Sequence, residues 1–358
     1  MTLVALFVPA DVQIGQRKQD RRNFAYPHRM DAFPHSPVLD LPIMMGAGRI
    51  RLWQVPCEEG LSSLLEPGSV DVVVTSPPYN IGIRYATHDD NLPREDYLAW
   101  MERVGTLVER VLSEDGSFFL NVGSRPADPW IAMDVAARLR GTFVLQNVIH
   151  WIKSVAIAKA DAGRYPAITG DVAVGHYKPI RGTRFLHDCH EFIFHFTKTG
   201  AVELDRLGVG VPYQDKSNIG RWKTARADIR CRGNTWFIPY ETIRDRKSQR
   251  PHPATFPVRL PEMCIRLHGL SRARLVVDPF VGLGSTAMAA LRLGVASEGF
   301  DIDGEYLAEA ARRLERERET LRTRQGDLFP PAEVDGAPAT PQRAREKPVR
   351  RKPQREAE

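Results

Sequence analysis

From residue 49 onward, short aliphatic runs alternate with amphipathic helical stretches, which restricts the chain to an α/β architecture whose sheet is covered by helices. Ile50 to Trp53 reads as a strand, Glu58 to Leu65 as a helix, and Val70 to Val74 as a strand buried on both faces. Leu98, Met101, Val104, Leu107, Val108 and Val111 then fall at helical spacing between Tyr97 and Leu112, and Gly116 is read as the stop. Ser117 to Val122, Gln146 to Trp151 and Glu191 to Phe196 read as further strands, with a helix over Trp130 to Leu139. A βαβα unit closes the pattern: strand Leu275 to Val277, helix Ser285 to Leu293, strand Ala296 to Phe300 and helix Glu305 to Leu314. The expected fold is a Rossmann-like, doubly wound, mostly parallel sheet.

Two strand-end loops carry the chemistry. In open α/β sheets ligands bind beyond the carboxyl ends of the strands. After Val277 comes Asp278-Pro279-Phe280-Val281-Gly282-Leu283-Gly284, opening a helix at Ser285-Thr286. Its glycines let bare backbone and a helix N-terminus approach a ligand closely. Asp301, the first acidic residue after the next strand, is placed to accept hydrogen bonds from two ribose hydroxyls, so the loop reads as a nucleoside site. Spacing alone does not choose the nucleotide, because Gly282 to Ala287 also satisfies the dinucleotide pattern and a dehydrogenase remains a second reading.

The other loop, Ser76-Pro77-Pro78-Tyr79, follows Val72-Val73-Val74 and Thr75. Two prolines fix two φ angles and remove two donors, leaving carbonyl oxygens as acceptors. The Ser76 side chain and the Pro77 carbonyl are candidates to hold the hydrogens of a cytosine or adenine amino group, drawing its nitrogen toward a tetrahedral geometry. Tyr79 is a candidate stacking platform, a contact worth roughly 1–3 kcal/mol per base. A base inside a duplex is out of reach, so it has to be rotated out.

Charge agrees with a polyanionic partner. The net charge is +6, and residues 152–232 hold 14 Lys or Arg against 8 Asp or Glu, a surplus as large as that of the whole chain. Four scattered cysteines form neither a zinc pattern nor a disulfide framework, which suggests a reducing cytoplasm. His187, Asp188, Cys189, His190 and His195 alternate faces along a strand, so no metal site is expected from them. No targeting or membrane segment is read in the N-terminal residues.

On these motifs the chain resembles the amino-methyltransferases of DNA, which use S-adenosylmethionine, and the resemblance covers most of residues 49–318. It implies cofactor binding by Asp278, Phe280, Gly282, Gly284, Ser285, Thr286 and Asp301, and catalysis by Ser76, Pro77, Pro78 and Tyr79. His252-Pro253-Ala254-Thr255-Phe256-Pro257 resembles the segment that closes over the methionine end of the cofactor, which adds Thr255 and Phe256. Because the catalytic loop precedes the cofactor loop, the order is similar to that of the beta class, a circularly permuted methyltransferase fold with an inserted target-recognition region.

The implied division is a poorly ordered leader at 1–46, a catalytic half at 47–151, a target-recognition region at 152–232 with one core strand near 190–196, a cofactor half at 233–325 and a disordered basic tail at 326–358. Lys153, Lys178, Arg181, Arg184, Arg221 and Lys223 become candidate DNA contacts, interleaved with Tyr165, Tyr177 and Trp222. The resemblance favours cytosine N4 in double-stranded DNA as the target, with adenine N6 as the alternative. It also implies a possible companion restriction endonuclease, and a monomer or homodimer. One departure stands out: many relatives carry Gly-Asp for adenine recognition where this chain has Val55-Pro56.

Overall fold

The computed structural model describes residues 36–44, 47–83, 87–88, 90–165, 167–175, 183–221, 227–239 and 255–328. Eleven strands are present among them: β1 (Leu39–Pro42), β2 (Arg49–Gln54), β3 (Val70–Thr75), β4 (Leu112–Val122), β5 (Val144–Ile152), β6 (Val155–Ile157), β7 (Val172–Val174), β8 (His190–Thr197), β9 (Thr235–Phe237), β10 (Leu275–Asp278) and β11 (Ala296–Asp301). The helices are α1 (Cys57–Ser63), α2 (Arg94–Val111), α3 (Ile131–Arg138), α4 (Arg259–His268), α5 (Ser285–Leu293) and α6 (Gly304–Leu328). Nine strands form one sheet in the order β1-β2-β11-β10-β3-β4-β8-β5-β9, and β6 pairs with β7 as a separate ribbon.

The pairs from β2 through β4 are all parallel, whereas β8 runs antiparallel to both β4 and β5. From β10 the chain winds through α5 to β11; from β3 it winds the other way through α2 to β4. The winding therefore reverses between β10 and β3, the position where ligands bind in such sheets. Their register pairs Val276 with Val72 and Val277 with Val73, which brings both loops to one edge.

Strand β3 is apolar almost throughout because helices cover both of its faces. Val72 and Val74 face the core under α4, α5 and α6, while Val70 and Val73 face the core under α1, α2 and α3. Each such valine contributes about 1.5–3 kcal/mol of burial. Asp71 interrupts the run and is buried, and its carboxylate takes the N–H groups of Arg274 and Leu275 at 2.8 and 3.1 Å and the Arg274 guanidinium at 2.9 Å. That clamp holds the entry of β10 against β3.

The ordered sheet begins inside the segment read as leader, because β1 pairs antiparallel with β2, Leu39 opposite Leu52. Gly116 lies within β4, which follows α2 directly and takes up the extra residues as a bulge opposite β3. Helix α4 was not anticipated; Pro261 masks its Leu260, Met263, Cys264 and Leu267 period, yet proline is tolerated in a first turn. No helix among the described residues is long and apolar enough to cross a membrane.

Candidate active site

The loop after β10 is held from behind by Asp278. Its carboxylate accepts from Thr75 Oγ1 and Thr286 Oγ1, both at 2.6 Å, and from the Phe280 N–H at 3.0 Å. Burial pushes this carboxyl up to about 6 against those hydrogen bonds. Gly282 and Gly284 both adopt left-handed backbone, φ 48° and 78°, and Gly284 caps α5. Asp301, at the end of β11, accepts the Gly282 N–H and the Asp303 N–H at 2.9 Å each. It is likewise raised to about 6, chiefly by burial. Its remaining lone pairs can accept from hydroxyl donors in the pocket. On the far side, Ser285 Oγ donates to the Phe256 carbonyl at 2.8 Å and fixes that segment against the loop.

One pocket, partly open to solvent, is lined by Ser76 to Tyr79 on one side and Pro279 to Leu283 on the other. Thr255, Phe256, Ser285 and Asp301 also line it. The structure thus brings together the four catalytic candidates and Phe280, Gly282, Ser285, Asp301, Thr255 and Phe256. Asp278, Gly284 and Thr286 do not line the pocket; they shape the loop from beneath.

Sequence reasoning missed several lining groups. Trp100 donates its indole N–H to Glu58 at 2.7 Å, packs edge-on to Phe280 at 5.4 Å and stacks with His88 at 5.7 Å. Pro56, Cys57 and Glu58 line the wall where the Val55-Pro56 departure falls, so a carboxylate is present there two residues later than expected. Ile302 and Tyr306 complete the apolar side.

The catalytic loop is tied down by groups distant in sequence. Tyr97 donates its hydroxyl to the Pro78 carbonyl at 2.8 Å, so that carbonyl is engaged. The Tyr79 hydroxyl lies 2.6 Å from Ser76 Oγ and 2.9 Å from Glu191 Oε2, and it receives Asn121 Nδ2 at 2.6 Å. Asn121 is the penultimate residue of β4 and Glu191 the second of β8. Gly123 permits this approach, since a Cβ there would lie 2.9 Å from the Tyr79 ring and 3.1 Å from Glu191. No local motif marks Asn121 or Glu191; only the antiparallel return of β8 along β4 places them here.

Of the DNA-contact candidates, Arg184 is exposed with its guanidinium 5.4 Å from the Phe185 ring, and Arg221 is exposed beside Asn218. Lys153 is mostly covered and pairs with Glu191 at 3.0 Å. Lys178, Arg181 and Lys223 lie outside the described residues, as do Tyr177, Trp222 and His252 to Ala254. Among the described residues no cluster of three or more His, Cys, Asp or Glu is arranged to hold a metal.

A family model described as DNA methylase matches residues 70–312. The Type II methyltransferase M.ScaI of Streptomyces caespitosus is 28% identical over 262 residues, covering 70% of this chain and 77% of that protein. M.HpaI of Haemophilus parainfluenzae is 28% identical over 266 residues, covering 73% and 74%. Among solved structures, the PvuII DNA methyltransferase (cytosine-N4-specific) matches with a TM-score of 0.53 at 19% identity, covering 81% of this chain and 96% of that one; at that identity the likeness shows the shared fold.

Proposed function

The chain belongs to the N6/N4 DNA methylase family and is a DNA amino-methyltransferase, and from that premise we propose that it methylates the exocyclic N4 of a cytosine rotated out of duplex DNA, with S-adenosylmethionine as donor. The observation that carries this reading is the shared pocket, in which the Ser76 to Tyr79 loop faces the glycine loop across adjacent parallel strands. The match also sets aside the dehydrogenase, which left Ser76 to Tyr79 without a role.

The residues present fit the donor. Asp301 and the Gly282 backbone suit ribose hydroxyls; Phe280, Trp100, Ile302 and Tyr306 offer apolar surface for a purine; Thr255, Phe256 and Ser285 flank the other end. When bound, S-adenosylmethionine supplies a sulfonium methyl group open to in-line displacement. The chain contributes positioning and a tuned nucleophile. Ser76 Oγ and the Pro77 carbonyl accept the amino hydrogens of the target base, which frees the nitrogen lone pair from the ring. Tyr79 offers its ring to the base while its hydroxyl is anchored on Glu191 and Asn121. Cytosine is favoured by the Ser-Pro-Pro-Tyr form of the loop; the same acceptors serve adenine N6. Arg184 and Arg221 are proposed phosphate contacts, and a restriction endonuclease reading the same DNA sequence is the expected companion.

The test is transfer of labelled methyl groups to duplex DNA followed by mapping of modified bases. N4-methylcytosine at a fixed sequence is the expected product. N6-methyladenine would move the target to the alternative, and absence of any methylated base would sink the reading.

A further inference from the structure

The hydrogen-bond polarity around Tyr79 has one consistent solution. A phenol carries one proton, and a carboxylate can only accept. Glu191 is buried against Lys153, with Nζ–Oε1 at 3.0 Å, and its other oxygen takes both the Tyr79 hydroxyl at 2.9 Å and Asn121 Nδ2 at 2.8 Å. The Asn121 amide therefore presents its NH2 group to Tyr79 and Glu191, because its carbonyl would face a carboxylate. With the single Tyr79 proton directed to Glu191, the phenol oxygen receives from Asn121 and from Ser76. Ser76 Oγ, at 2.6 Å, must then be the donor in that pair; one of its lone pairs faces Asn121 Nδ2 at 3.4 Å and the other remains for the pocket.

Ser76 Oγ, Tyr79 Oη and the Glu191 carboxylate thus form a continuous chain from the pocket to a buried, ion-paired acid. We propose that this chain carries away the proton that the amine must shed on methylation, with Glu191 as its terminal acceptor and Lys153 as the residue that positions it. The inference rests on the amino-methyltransferase reading. Once the nitrogen has bonded to the methyl carbon it bears one proton too many. The N–H bond breaks, leaving its electron pair on nitrogen, and the proton bonds to Ser76 Oγ. The original Ser76 proton passes to Tyr79 Oη, and the Tyr79 proton passes to Glu191. Two O–H bonds break and three form, so one proton moves from nitrogen to carboxylate; Glu191 releases it to solvent between turnovers. The same chain acts before the reaction, because a carboxylate at its end holds Ser76 as an acceptor toward the target amine.

The titratable groups facing Glu191 are Tyr79, Lys153, Asp188 and His190. Glu191→Gln preserves the acceptor oxygen for Tyr79 and nearly the same shape, but removes the charge and the basicity. Tyr79→Phe keeps the ring and breaks the chain. Single-turnover methyl transfer should fall about 10²-fold or more in either variant, within the usual range for general acid–base assistance. Cofactor and DNA dissociation constants should stay within about twofold of the parent, RT ln 2 being too small for a lost contact. The loss of rate should be partly reversed in Glu191→Asp, which keeps a carboxylate at the end of the chain, and absent in Asp188→Asn. Independently of turnover, NMR of chains labelled at tyrosine Cζ, with Tyr79 assigned by its loss in Tyr79→Phe, should show the Tyr79 resonance displaced by Glu191→Gln. A Glu191→Gln chain with the parent rate would overturn the relay, as would an unmoved Tyr79 resonance. A parent that methylates no DNA would instead overturn the function on which it rests.

Discussion

At the scale of single residues, Asp301 should make cofactor binding dependent on pH. Its carboxyl titrates near 6 because it is buried. On the proposed ribose assignment the hydroxyls donate to the ionised form, so protonation should compete with binding. Calorimetry should give a nearly constant S-adenosylmethionine affinity above pH 7 and a decline approaching tenfold per unit below about 6; Asp301→Ala should bind weakly at every pH. An Asp301→Ala chain with parental affinity would remove the ribose assignment. Tyr79→Ala should separate the two halves of the pocket by losing most activity, 10²-fold or more if the lost stack and relay combine, while cofactor affinity persists. The place of both residues in the pocket was legible from sequence because each sits in a short strand-end motif. Glu191, Asn121 and Trp100 were not, since their roles arise where β8, β4 and α2 meet the catalytic loop.

Among elements, the buried central strands were the most legible, because a strand covered on both faces leaves an unbroken aliphatic run. Helix Ser285–Leu293 was anticipated to the residue, since the glycine loop marks its start and Gly294, in left-handed backbone, its end. Short edge strands such as β1 and β9 carry no such signature, having four and three residues and one sheet neighbour each. The glycine loop itself is conformationally demanding. Gly284 holds φ 78°, and a Cβ there would lie 3.2 Å from Ala310 Cβ on α6. Gly284→Ala should cost about 1–2 kcal/mol from left-handed backbone alone, read as a lower urea midpoint, and should weaken cofactor binding by displacing the start of α5. In the inserted region, Arg184→Ala and Arg221→Ala should each weaken DNA binding across sequences and reduce the salt slope by about one. Unchanged slopes in both would move the phosphate track elsewhere.

At the scale of the whole molecule, a polar cluster ties three strands on the β9 side of the sheet to a helix. Ser117 of β4, His195 of β8, Asn147 of β5 and His268 of α4 meet in a chain: Asn147 donates to His195 Nδ1 at 3.0 Å, His195 Nε2 faces Ser117 Oγ at 3.1 Å, and Ser117 faces His268 Nδ1 at 3.0 Å. The chain closes only if both imidazoles are neutral, and burial holds them so, lowering His195 to about 3 and His268 to about 4. In the unfolded chain both take a proton near 6.5. Between those limits the unfolded state binds more protons, so stability rises with pH. This contribution is complete above 6.5 and is lost as the pH falls through that window. Asp278 and Asp301 act in the opposite direction: raised from 3.8 to about 6, they contribute most below 3.8 and lose that contribution as the pH rises through 6. The histidine displacements are the larger, so acidification should win. Urea midpoints of the cofactor-free chain should fall between pH 6.5 and 4.5, and His268→Gln, whose side-chain oxygen still accepts from Ser117, should flatten the slope whatever its effect on the midpoint at pH 7. A parental midpoint that holds or rises on acidification would show that the carboxylates, and not the cluster spanning three strands and a helix, govern the stability of the fold.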